Sequence, residues 1–384
     1  MFNSPNFKIV GSGPTGVLLA IALSNLKLNI FLTDLLSREM LINKDKTYAI
    51  THSTRKILEK FSLWRKLKPY LFGFDTLSIT DQVTSSFINL TISDLDQDIV
   101  SENNIGWVIK HSDLMKVFFE TIDLHDNIIF KQQGKQSNEN KFFDFQFIST
   151  GANTSKKRTL NIFDIKKEYN QACLTFKVLV RGNFKRRAYE IFRDEGPLAL
   201  LPLDVNLYQV IWTSNTSKSK DRLNSDKNFL MDNLSTILPV NFKLDQIVGE
   251  INVFPVSLSW NMPIFSSRDA VLVGDSFHTF HPVGGQGLNT CWRDVNTIFD
   301  LLSKTHSITK KNLNIFKFKY YFSRILDVTT TIIVTDFLIR LFSNKNFFLF
   351  PVRKISFFLL NNFFVIRKIV LNQMTKSLIF SSIK

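Results

Sequence analysis

The sequence has few of the residues that define disulfide-stapled, metal-binding and membrane-spanning proteins. Among its 384 residues, only Cys173 and Cys291 are cysteines, and six residues are histidines. Two cysteines so far apart do not make a disulfide framework or a thiolate metal site, so we expect a reducing compartment. Charges interrupt every apolar run before about 18 residues, which predicts no membrane-spanning helix. The short polar start, Met1 to Asn6, does not fit a signal peptide.

Acidic residues are also scarce, with 33 Asp and Glu against 48 Lys and Arg. Most of the resulting charge of +15 lies in residues 311–384, which hold 12 basic residues, 2 acidic residues and 13 of the 38 Phe. Such a segment fits a helix on an anionic membrane surface, and it equally fits helical packing with a compositional bias. Nucleic acid is disfavoured as a partner because no recognised binding motif accompanies the charge.

Apolar periodicity predicts an α/β chain that is interrupted by antiparallel sheet. Residues 7–10 and 28–33 have the pattern of buried strands around a helix over 15–25, and residues 53–68 predict one further helix. Segments 76–92 and 172–213 alternate like antiparallel strands, and 270–273 is again a buried strand. Ser112 is expected to cap a helix that ends at Thr121.

A glycine-rich turn lies between the first strand and the first helix. It reads Gly11-Ser12-Gly13-Pro14-Thr15-Gly16, and Asp34 ends the following strand. In this context the glycines allow a tight turn, close approach of a pyrophosphate and close helix packing, while the acid accepts hydrogen bonds from a ribose. The turn predicts an adenine dinucleotide site, and it does not distinguish NAD from FAD.

A second glycine-rich segment follows the strand at 270–273. Its predicted cofactor-binding residues are Gly274, Asp275, Pro282, Gly285, Gln286, Gly287, Leu288 and Asn289. An acid directly after a buried strand can hold a polyol chain, and the turn into a helix over 287–303 aims backbone amides at an anionic ring. His278 and His281 have no third ligand nearby, so we interpret them as residues that fix the loop, and the sequence predicts no metal site.

The second segment resembles the second FAD signature of class A flavin monooxygenases, in particular the UbiH/VisC-like ubiquinone-biosynthesis hydroxylases. The resemblance extends over essentially the whole chain: residues 187–203 resemble the family's substrate-domain strands, and residues 335–343 its C-terminal helix. It implies that Asp275 binds the ribityl chain of FAD and that Gly287, Leu288 and Asn289 lie beside the isoalloxazine.

Two positions depart from the family pattern. Lys46 stands where the family usually has Arg, which keeps the charge and loses the bidentate fork. Thr150, before Gly151-Ala152-Asn153, replaces an Asp that relatives associate with FAD and nicotinamide handling. The electron donor is therefore left open between NAD(P)H and a partner reductase. His111 falls where relatives place a polar side chain that contacts the flavin.

The resemblance implies a Rossmann-like FAD domain of the p-hydroxybenzoate hydroxylase type, interleaved with an antiparallel substrate sheet and followed by C-terminal helices. We assign 1–75, 100–155 and 265–310 to the FAD domain, 76–99 and 156–264 to the substrate domain, and 311–384 to the helical region. The expected protein lies in the cytoplasm, peripherally on the inner membrane, with contact through 311–384 and a place in a biosynthetic complex.

The activity implied is FAD-dependent hydroxylation of the aromatic ring of a prenylated phenol or quinol in ubiquinone biosynthesis. It uses O₂ as co-substrate through a flavin C4a-hydroperoxide. Two alternatives stay open, an FAD-dependent reductase of an isoprenoid substrate and a noncatalytic FAD-binding scaffold. The sequence identifies no catalytic base.

Overall fold

A computed structural model describes residues 6–96, 102–133, 143, 145–152, 163–182, 186–239, 242–262, 270–305 and 309–376. Its strands are β1 Asn6–Val10, β2 Asn29–Asp34, β3 Thr47–Ile50, β4 Phe72–Phe74, β5 Thr76–Asp81, β6 Ser86–Thr91, β7 Gly106–Lys110, β8 Ile128–Gln132, β9 Phe145–Ile148, β10 Phe163–Arg181, β11 Arg187–Phe192, β12 Leu198–Pro202, β13 Leu207–Asn215, β14 Lys243–Met262, β15 Ala270–Leu272 and β16 His278–Thr279. Its α-helices are α1 Pro14–Ser24, α2 Arg38–Ile42, α3 His52–Lys60, α4 Trp64–Leu67, α5 His111–Ile122, α6 Thr216–Asn224, α7 Lys227–Ser235, α8 Gln286–Ser303, α9 Lys310–Phe342, α10 Phe350–Asn362 and α11 Phe364–Lys376.

The described strands form three sheets. A parallel sheet has the order β15-β9-β1-β2-β8, and its central strands are apolar on both faces because helices cover them. The largest sheet has the order β16-β14-β10-β13-β12-β11-β5-β6, and its strands are antiparallel except for the β11–β5 pair. The third sheet is small and antiparallel, with the order β3-β7-β4.

The parallel sheet carries the predicted βαβ opening. Helix α1 is buried from Gly16 to Ser24, and its apolar residues are not confined to one face, as expected of a helix covered on all sides. It packs on α8 and α5. The carboxyl ends of β1, β2, β9 and β15 therefore lie at one edge of the sheet, where both glycine-rich segments begin.

Two local predictions were wrong. The helix predicted over 53–68 is broken into α3 and α4, because Ser62 adopts a left-handed φ of +58° and ends the first helix. The helix that was predicted to start after Ser112 begins at His111, with Lys110 as its N-cap. Ser112 therefore lies inside the first turn and is not the cap.

The large sheet has two different faces. Leu174, Phe176, Leu200 and Trp212 form an apolar core with helix α7 on one face. Their sequence neighbours on the same strands alternate to the other face. That second face looks toward the glycine-rich segments.

The C-terminal helices pack on the sheet strands β5, β6 and β11. Phe342, Phe357 and Leu371 are buried in one cluster with Ile88 and Phe192. No single described helix is long and apolar enough to cross a bilayer; α10 with the turn before it and α11 meet that criterion jointly, although their axes are bent by 101°.

Candidate functional site

A cavity of about 880 Å³ lies between the parallel sheet, the second glycine-rich segment and the second face of the large sheet. This volume falls within the range of small-molecule and cofactor pockets. Most of the predicted cofactor-binding residues line it, namely Gly11, Gly13, Pro14, Thr15, Asp34, Lys46, His111, Asp275, Pro282, Gly285, Gly287 and Leu288. Segments that are far apart in the sequence therefore meet around one space.

The first glycine turn has the geometry of a dinucleotide cradle. Gly11 has φ +103°, and a Cβ there would lie 2.5 Å from the Ser149 carbonyl oxygen. A Cβ at Gly16 would lie 1.9 Å from the Gly11 carbonyl oxygen, so close packing of turn and helix requires glycine. At Gly13 a Cβ would meet nothing within 4 Å, which leaves the backbone accessible from the cavity.

Asp34 lies at the end of β2, beside this turn. Its Oδ2 accepts the Ser12 N–H at 2.6 Å, and its Oδ1 accepts the Leu36 N–H at 3.0 Å. The two backbone hydrogen bonds fix the orientation of the carboxylate. Each oxygen keeps a second acceptor position, and the side chain borders the cavity, so Asp34 can also accept hydrogen bonds from the hydroxyls of a ribose.

Two helices begin at the cavity without a side-chain cap. Gly13 is the N-cap of α1, and Gly285, with φ +62°, is the N-cap of α8. Neither helix has an acidic residue in its first turn. Both N-termini therefore present unpaired amides and partial positive charge, one where a diphosphate would lie and one where an anionic ring would lie.

Asp275 lies just after β15, and its segment is close to the first turn, because a Cβ at Gly274 would lie 3.0 Å from Thr15 Cγ2. The Cys291 Sγ donates to its Oδ1 at 3.4 Å. Burial, reinforced by the Asp275 charge, raises the pKa of the Cys291 thiol well above its ordinary value, so the thiol stays protonated and acts as the donor. The carboxylate is thus positioned at the cavity wall, able to accept further hydrogen bonds from a polyol chain.

Four predicted residues lie behind the wall and shape it. Gly16 packs on Gly11, and the Gly274 N–H donates to Asp294 Oδ2 at 2.9 Å. Gln286 donates to the Met374 carbonyl oxygen at 3.1 Å, which ties the loop to α11. Asn289 is fully buried and is the most connected of the four.

The Asn289 amide joins the second glycine-rich segment to the turn after β3. Its Nδ2 donates to the carbonyl oxygens of Ala49 and Gly285 at 2.9 and 2.8 Å. Its Oδ1 accepts from the Thr51 N–H at 3.1 Å and from the Thr54 hydroxyl at 2.7 Å. The sequence did not predict Thr51 or Thr54, because their partner is more than 230 residues away.

His111 and Tyr48 form a hydrogen-bonded pair in the wall. His111 Nε2 lies 2.7 Å from the Leu41 carbonyl oxygen, which can only accept, so Nε2 carries the proton. Burial lowers the pKa of His111 to about 4, so Nδ1 is unprotonated and accepts from the Tyr48 hydroxyl at 2.8 Å. Burial raises the pKa of Tyr48, which keeps that hydroxyl neutral.

The two departures from the family pattern also border the cavity. The Lys46 ammonium lies 5.2 Å from the ring centre of Phe254. The Thr150 hydroxyl oxygen is buried and has no hydrogen-bond partner among the described residues. A buried hydroxyl without a partner beside a cavity is expected to bond to a ligand. Asn153, three residues after Thr150, lies outside the described residues.

The histidines of the second segment hold that segment in place. His281 Nδ1 accepts the Val283 N–H at 3.2 Å, and its Nε2 lies 3.2 Å from Gln171 Oε1. Burial lowers the pKa of His281 to about 3, so the ring is neutral and Nε2 donates to Gln171. His278 Nε2 lies 2.9 Å from Asp294 Oδ2 in a fully buried contact.

A buried ion cluster supports the segment from below. Asp294 on α8 contacts Arg324 on α9 at 2.6 Å, and Asp327 contacts both Arg324 and Arg293 at 2.7 Å. Despite burial, His278 and Arg324 hold the pKa of Asp294 below its ordinary value, and Arg324 and Arg293 do the same for Asp327. Sequence reasoning missed this cluster, because its partners on two helices have no common local pattern.

The second face of the large sheet closes the cavity. It contributes Cys173, Thr175, Leu201, Gln209 and Ile211. Gln209 is oriented by the Thr47 hydroxyl, which donates to its Oε1 at 3.0 Å, and by its own Nε2 donating to the Phe176 carbonyl oxygen at 2.9 Å. This wall is a mixed polar and apolar surface that suits an aromatic ring carrying hydroxyl groups.

Comparison with known proteins reveals relatives for both sequence and fold. No protein-family model matches the chain. The ubiquinone hydroxylase UbiM of Neisseria meningitidis is 20% identical over 96% of this chain and 84% of its own. The mitochondrial ubiquinone biosynthesis monooxygenase COQ6 of Dictyostelium discoideum is 21% identical over 85% of this chain and 80% of its own.

Solved structures share the fold at lower identity. The p-nitrophenol 4-monooxygenase PnpA of Pseudomonas putida has a TM-score of 0.75 at 14% identity, covering 97% of this chain and 98% of its own. HpxO of Klebsiella pneumoniae, solved with FAD and uric acid, has a TM-score of 0.72 at 12% identity, covering 97% and 96%. The predicted family resemblance and fold class are confirmed.

Proposed function

Since the chain is a relative of the ubiquinone-biosynthesis hydroxylases of the class A FAD-dependent monooxygenases, we propose that it hydroxylates the aromatic ring of a prenylated phenol or quinol. The reaction consumes O₂ and a reductant, and the product is a precursor of ubiquinone. A single observation carries the proposal. Both glycine-rich segments and the polar face of the large sheet enclose one cavity of about 880 Å³.

The residues of this cavity fit FAD from end to end. The amides at Gly13 would hold the diphosphate, Asp34 would accept from the adenosine ribose, and Asp275 would accept from the ribityl chain. The N-terminus of α8 would hold the ring, and its partial positive charge would favour reduced, anionic flavin. Gly13 and Gly287 leave open space where a Cβ would stand, so backbone and cofactor can approach closely.

FAD supplies the oxygen chemistry when it is bound and reduced. This chain's residues bind and orient it and exclude water. The Asp294 cluster and Asn289 hold the second segment rigid, because every polar side chain in that cluster is paired and buried. Gln209 and Thr175 offer hydrogen-bonding groups to a hydroxylated ring on the opposite wall.

The electron donor is NAD(P)H or a partner reductase. Thr150 stands where relatives have an Asp that is associated with FAD and nicotinamide handling, so we propose that the isolated protein oxidises NAD(P)H slowly. A Thr hydroxyl is uncharged and shorter than a carboxylate, and it cannot pair with a cation.

We propose that the protein works at the cytoplasmic face of a bacterial inner membrane, within a biosynthetic complex, because a prenylated substrate stays in the bilayer. The helices α9 to α11 and the turns between them expose many aromatic side chains, namely Phe318, Phe322, Phe337, Phe347, Phe348, Phe358, Phe363 and Phe364. Phe348 is 83% exposed. An apolar surface of this extent is typical of a membrane or protein contact.

Packing on the fold accounts for one face of this region, and we propose membrane contact for the other face. Its inward face packs on the fold, and several of its basic residues pair with carboxylates of the same chain. Arg367 contacts Asp94 at 2.8 Å, and Lys376 contacts Asp96 at 2.6 Å. Arg353 is fully buried. We therefore propose that attachment is driven mainly by aromatic insertion, with a small contribution from anionic lipid.

The proposal is tested by reconstitution. The purified protein is loaded with FAD, reduced, and mixed with O₂ and a prenylated phenol in vesicles. We expect ring hydroxylation, loss of product without O₂, and flavin absorption that stays with the protein until denaturation releases the FAD. A colourless protein that cannot be loaded with FAD would contradict the proposal.

A further inference from the structure

Glu190 lies on the cavity face of the large sheet. On β11 it pairs with Ala199 of β12, which pairs with Ile211 of β13, which pairs with Thr175 of β10. Side chains of directly paired residues project from the same face of a sheet. Since Ile211 and Thr175 line the cavity, Glu190 projects toward the same side. It lies just outside the lining itself, on the strand next to β12, which contributes the lining residue Leu201.

The carboxylate also reaches the opposite wall. It lies near the backbone N–H of Gly284, which favours its ionised form, in the turn between Pro282 and Gly285, both of which line the cavity. Gly284 has φ +71°, and a Cβ there would meet nothing within 4 Å. Glu190 therefore spans the gap between the sheet that closes the cavity and the loop that begins α8.

Glu190 is half-buried and has no cationic partner among the described residues. No ion pair in the described part of the chain involves it, and the backbone amide of Gly284 is the group that favours its ionised form. Cys173 on β10 interacts electrostatically with Glu190. Burial raises the pKa of the Cys173 thiol to about 12, so the thiol stays neutral. Burial raises the pKa of Glu190 to about 7, so the carboxyl exchanges its proton near neutral pH.

We propose that Glu190 is the base that accepts the hydroxyl proton of the phenolic substrate. The inference rests on the proposed function, because it requires a phenol in the cavity. A carboxyl that is half-buried, unpaired and placed where two walls of a cofactor cavity meet has the position that such a base requires.

The step is a single proton transfer. The substrate O–H bond breaks, its electron pair stays on the phenol oxygen, and the proton forms an O–H bond on Glu190. The phenolate ring carries more electron density and is more reactive toward an electrophilic oxygen. After turnover, Glu190 releases the proton to water. No oxidant beyond the O₂ of the proposed reaction is needed.

A purely structural role for Glu190 predicts different behaviour. In that case the side chain only stabilises the conformation of the turn at Gly284. Glu190→Gln keeps an acceptor oxygen of the same length for the Gly284 N–H, and it removes the titration. The substitution therefore separates the two roles. Glu168→Gln on β10 is the matched control, because Glu168 is exposed and pairs with Lys166 on the surface.

The experiment measures hydroxylation by the FAD-loaded full chain against pH, with two prenylated phenols that differ in acidity. In the unsubstituted protein and in Glu168→Gln, we expect the rate with the weakly acidic phenol to rise with pH through about 7. Glu190→Gln is expected to lose this rise and about 10²-fold in rate. A nitro-substituted phenol, which ionises without help, is expected to recover most of that loss.

Infrared pH titration adds a readout that does not depend on turnover. A carboxylic acid C=O band that disappears as the pH rises through about 7 is expected in the unsubstituted protein, and not in Glu190→Gln. If Glu190→Gln keeps the full rate and pH profile, or if it slows both phenols equally with an altered flavin spectrum, Glu190 is not the base. If the unsubstituted, FAD-loaded protein hydroxylates no phenol, the proposed function itself fails.

Discussion

Arg324 and Asp294 form a fully buried ion pair, Nε to Oδ1 at 2.6 Å, that links the long helix α9 to α8 directly beneath the second glycine-rich segment. Asp294 also accepts from the Gly274 N–H at 2.9 Å. The same carboxylate thus anchors a C-terminal helix and the turn that leads into Asp275. The C-terminal region is part of the scaffold of the cavity.

Removal of one partner from this pair is expected to be costly, because the other charge stays buried. For Arg324→Met we expect a loss of about 3 to 5 kcal/mol in the free energy of unfolding. Arg340→Met, at an exposed pair with Asp336, is the matched control with a loss of at most about 1 kcal/mol. Denaturant titration measures both, and equal losses would show that the buried cluster adds no more stability than a surface pair.

Two substitutions in the first glycine turn are expected to have different effects, one on folding and the other on FAD binding. Gly16→Ala places a methyl group 1.9 Å from the Gly11 carbonyl oxygen, so we expect loss of soluble, folded protein. Gly13→Ala meets no protein atom, so the fold is expected to persist while FAD affinity falls. Circular dichroism and FAD titration check the pair. A Gly13→Ala protein with unchanged FAD affinity would place the diphosphate elsewhere.

Asp275→Ala is expected to weaken FAD binding by about 1.5 to 3 kcal/mol, the value of a hydrogen bond to a charged group. Asp245→Ala, on an exposed pair with Arg181 in the large sheet, is expected to bind FAD normally. Fluorescence titration of the apoprotein with FAD measures both constants. Normal affinity in Asp275→Ala would exclude its contact with the ribityl chain.

Three buried histidines predict that the free energy of unfolding falls at acid pH. Burial lowers the pKa of His52 and His111 to about 4 and of His281 to about 3, below the unfolded value of about 6.5. As the pH falls from about 6.5 toward 4, the unfolded chain binds protons that the folded chain does not. The free energy of unfolding should therefore fall over this range and be fully retained above it.

The contribution of one histidine, His52, to this pH dependence of stability can be measured. His52→Gln removes one titrating group and should make the fall between pH 7 and 5 shallower, with urea titrations at each pH as the measurement. The substitution also lowers the stability at neutral pH, so the comparison uses the difference between the two pH values. An unchanged difference would show that His52 does not titrate as described.

Membrane attachment is predicted to survive salt, because the aromatic side chains insert while Arg353, Arg367 and Lys376 are held by the fold. In vesicle sedimentation, we expect binding to neutral lipid as well as to anionic lipid, with a weak salt dependence. Replacing exposed Phe347 and Phe348 by Ser should release the protein. Ser substitution at Phe229, an exposed residue of α7, is the control.

Binding that requires anionic lipid and disappears in high salt would contradict this account of the tail. The earlier expectation that its basic residues meet headgroups would then be favoured.

The βαβ opening and both glycine-rich segments could be predicted because each requirement is local. Glycine at positions 11, 13 and 16, followed by Asp34 at the end of a strand, encodes the turn and the acid within one short unit. The same holds for Asp275 after β15. The break at Ser62 and the start of α5 at His111 were missed, because a left-handed φ and an uncapped helix have no strong local signal.

The supporting residues of the site could not be read from the sequence for a different reason. Asn289 bonds to Thr51 and Thr54 across the whole chain, and Glu190 reaches Gly284 from another sheet. Such partners meet only when the strands take their register. The sequence indicates one basic, aromatic region over 311–384. The part of it that the structure describes, 311–376, divides into a buried, ion-paired face and an exposed aromatic face.

The central claim is that this cavity binds FAD and hydroxylates a phenol with oxygen from O₂. The most direct test is mass spectrometry of the product formed by the reduced, FAD-loaded protein from a prenylated phenol under isotopically labelled O₂. The account predicts a ring-hydroxylated product that carries one labelled oxygen atom. An unlabelled product, or a substrate reduced or unchanged while FAD is bound, would contradict it.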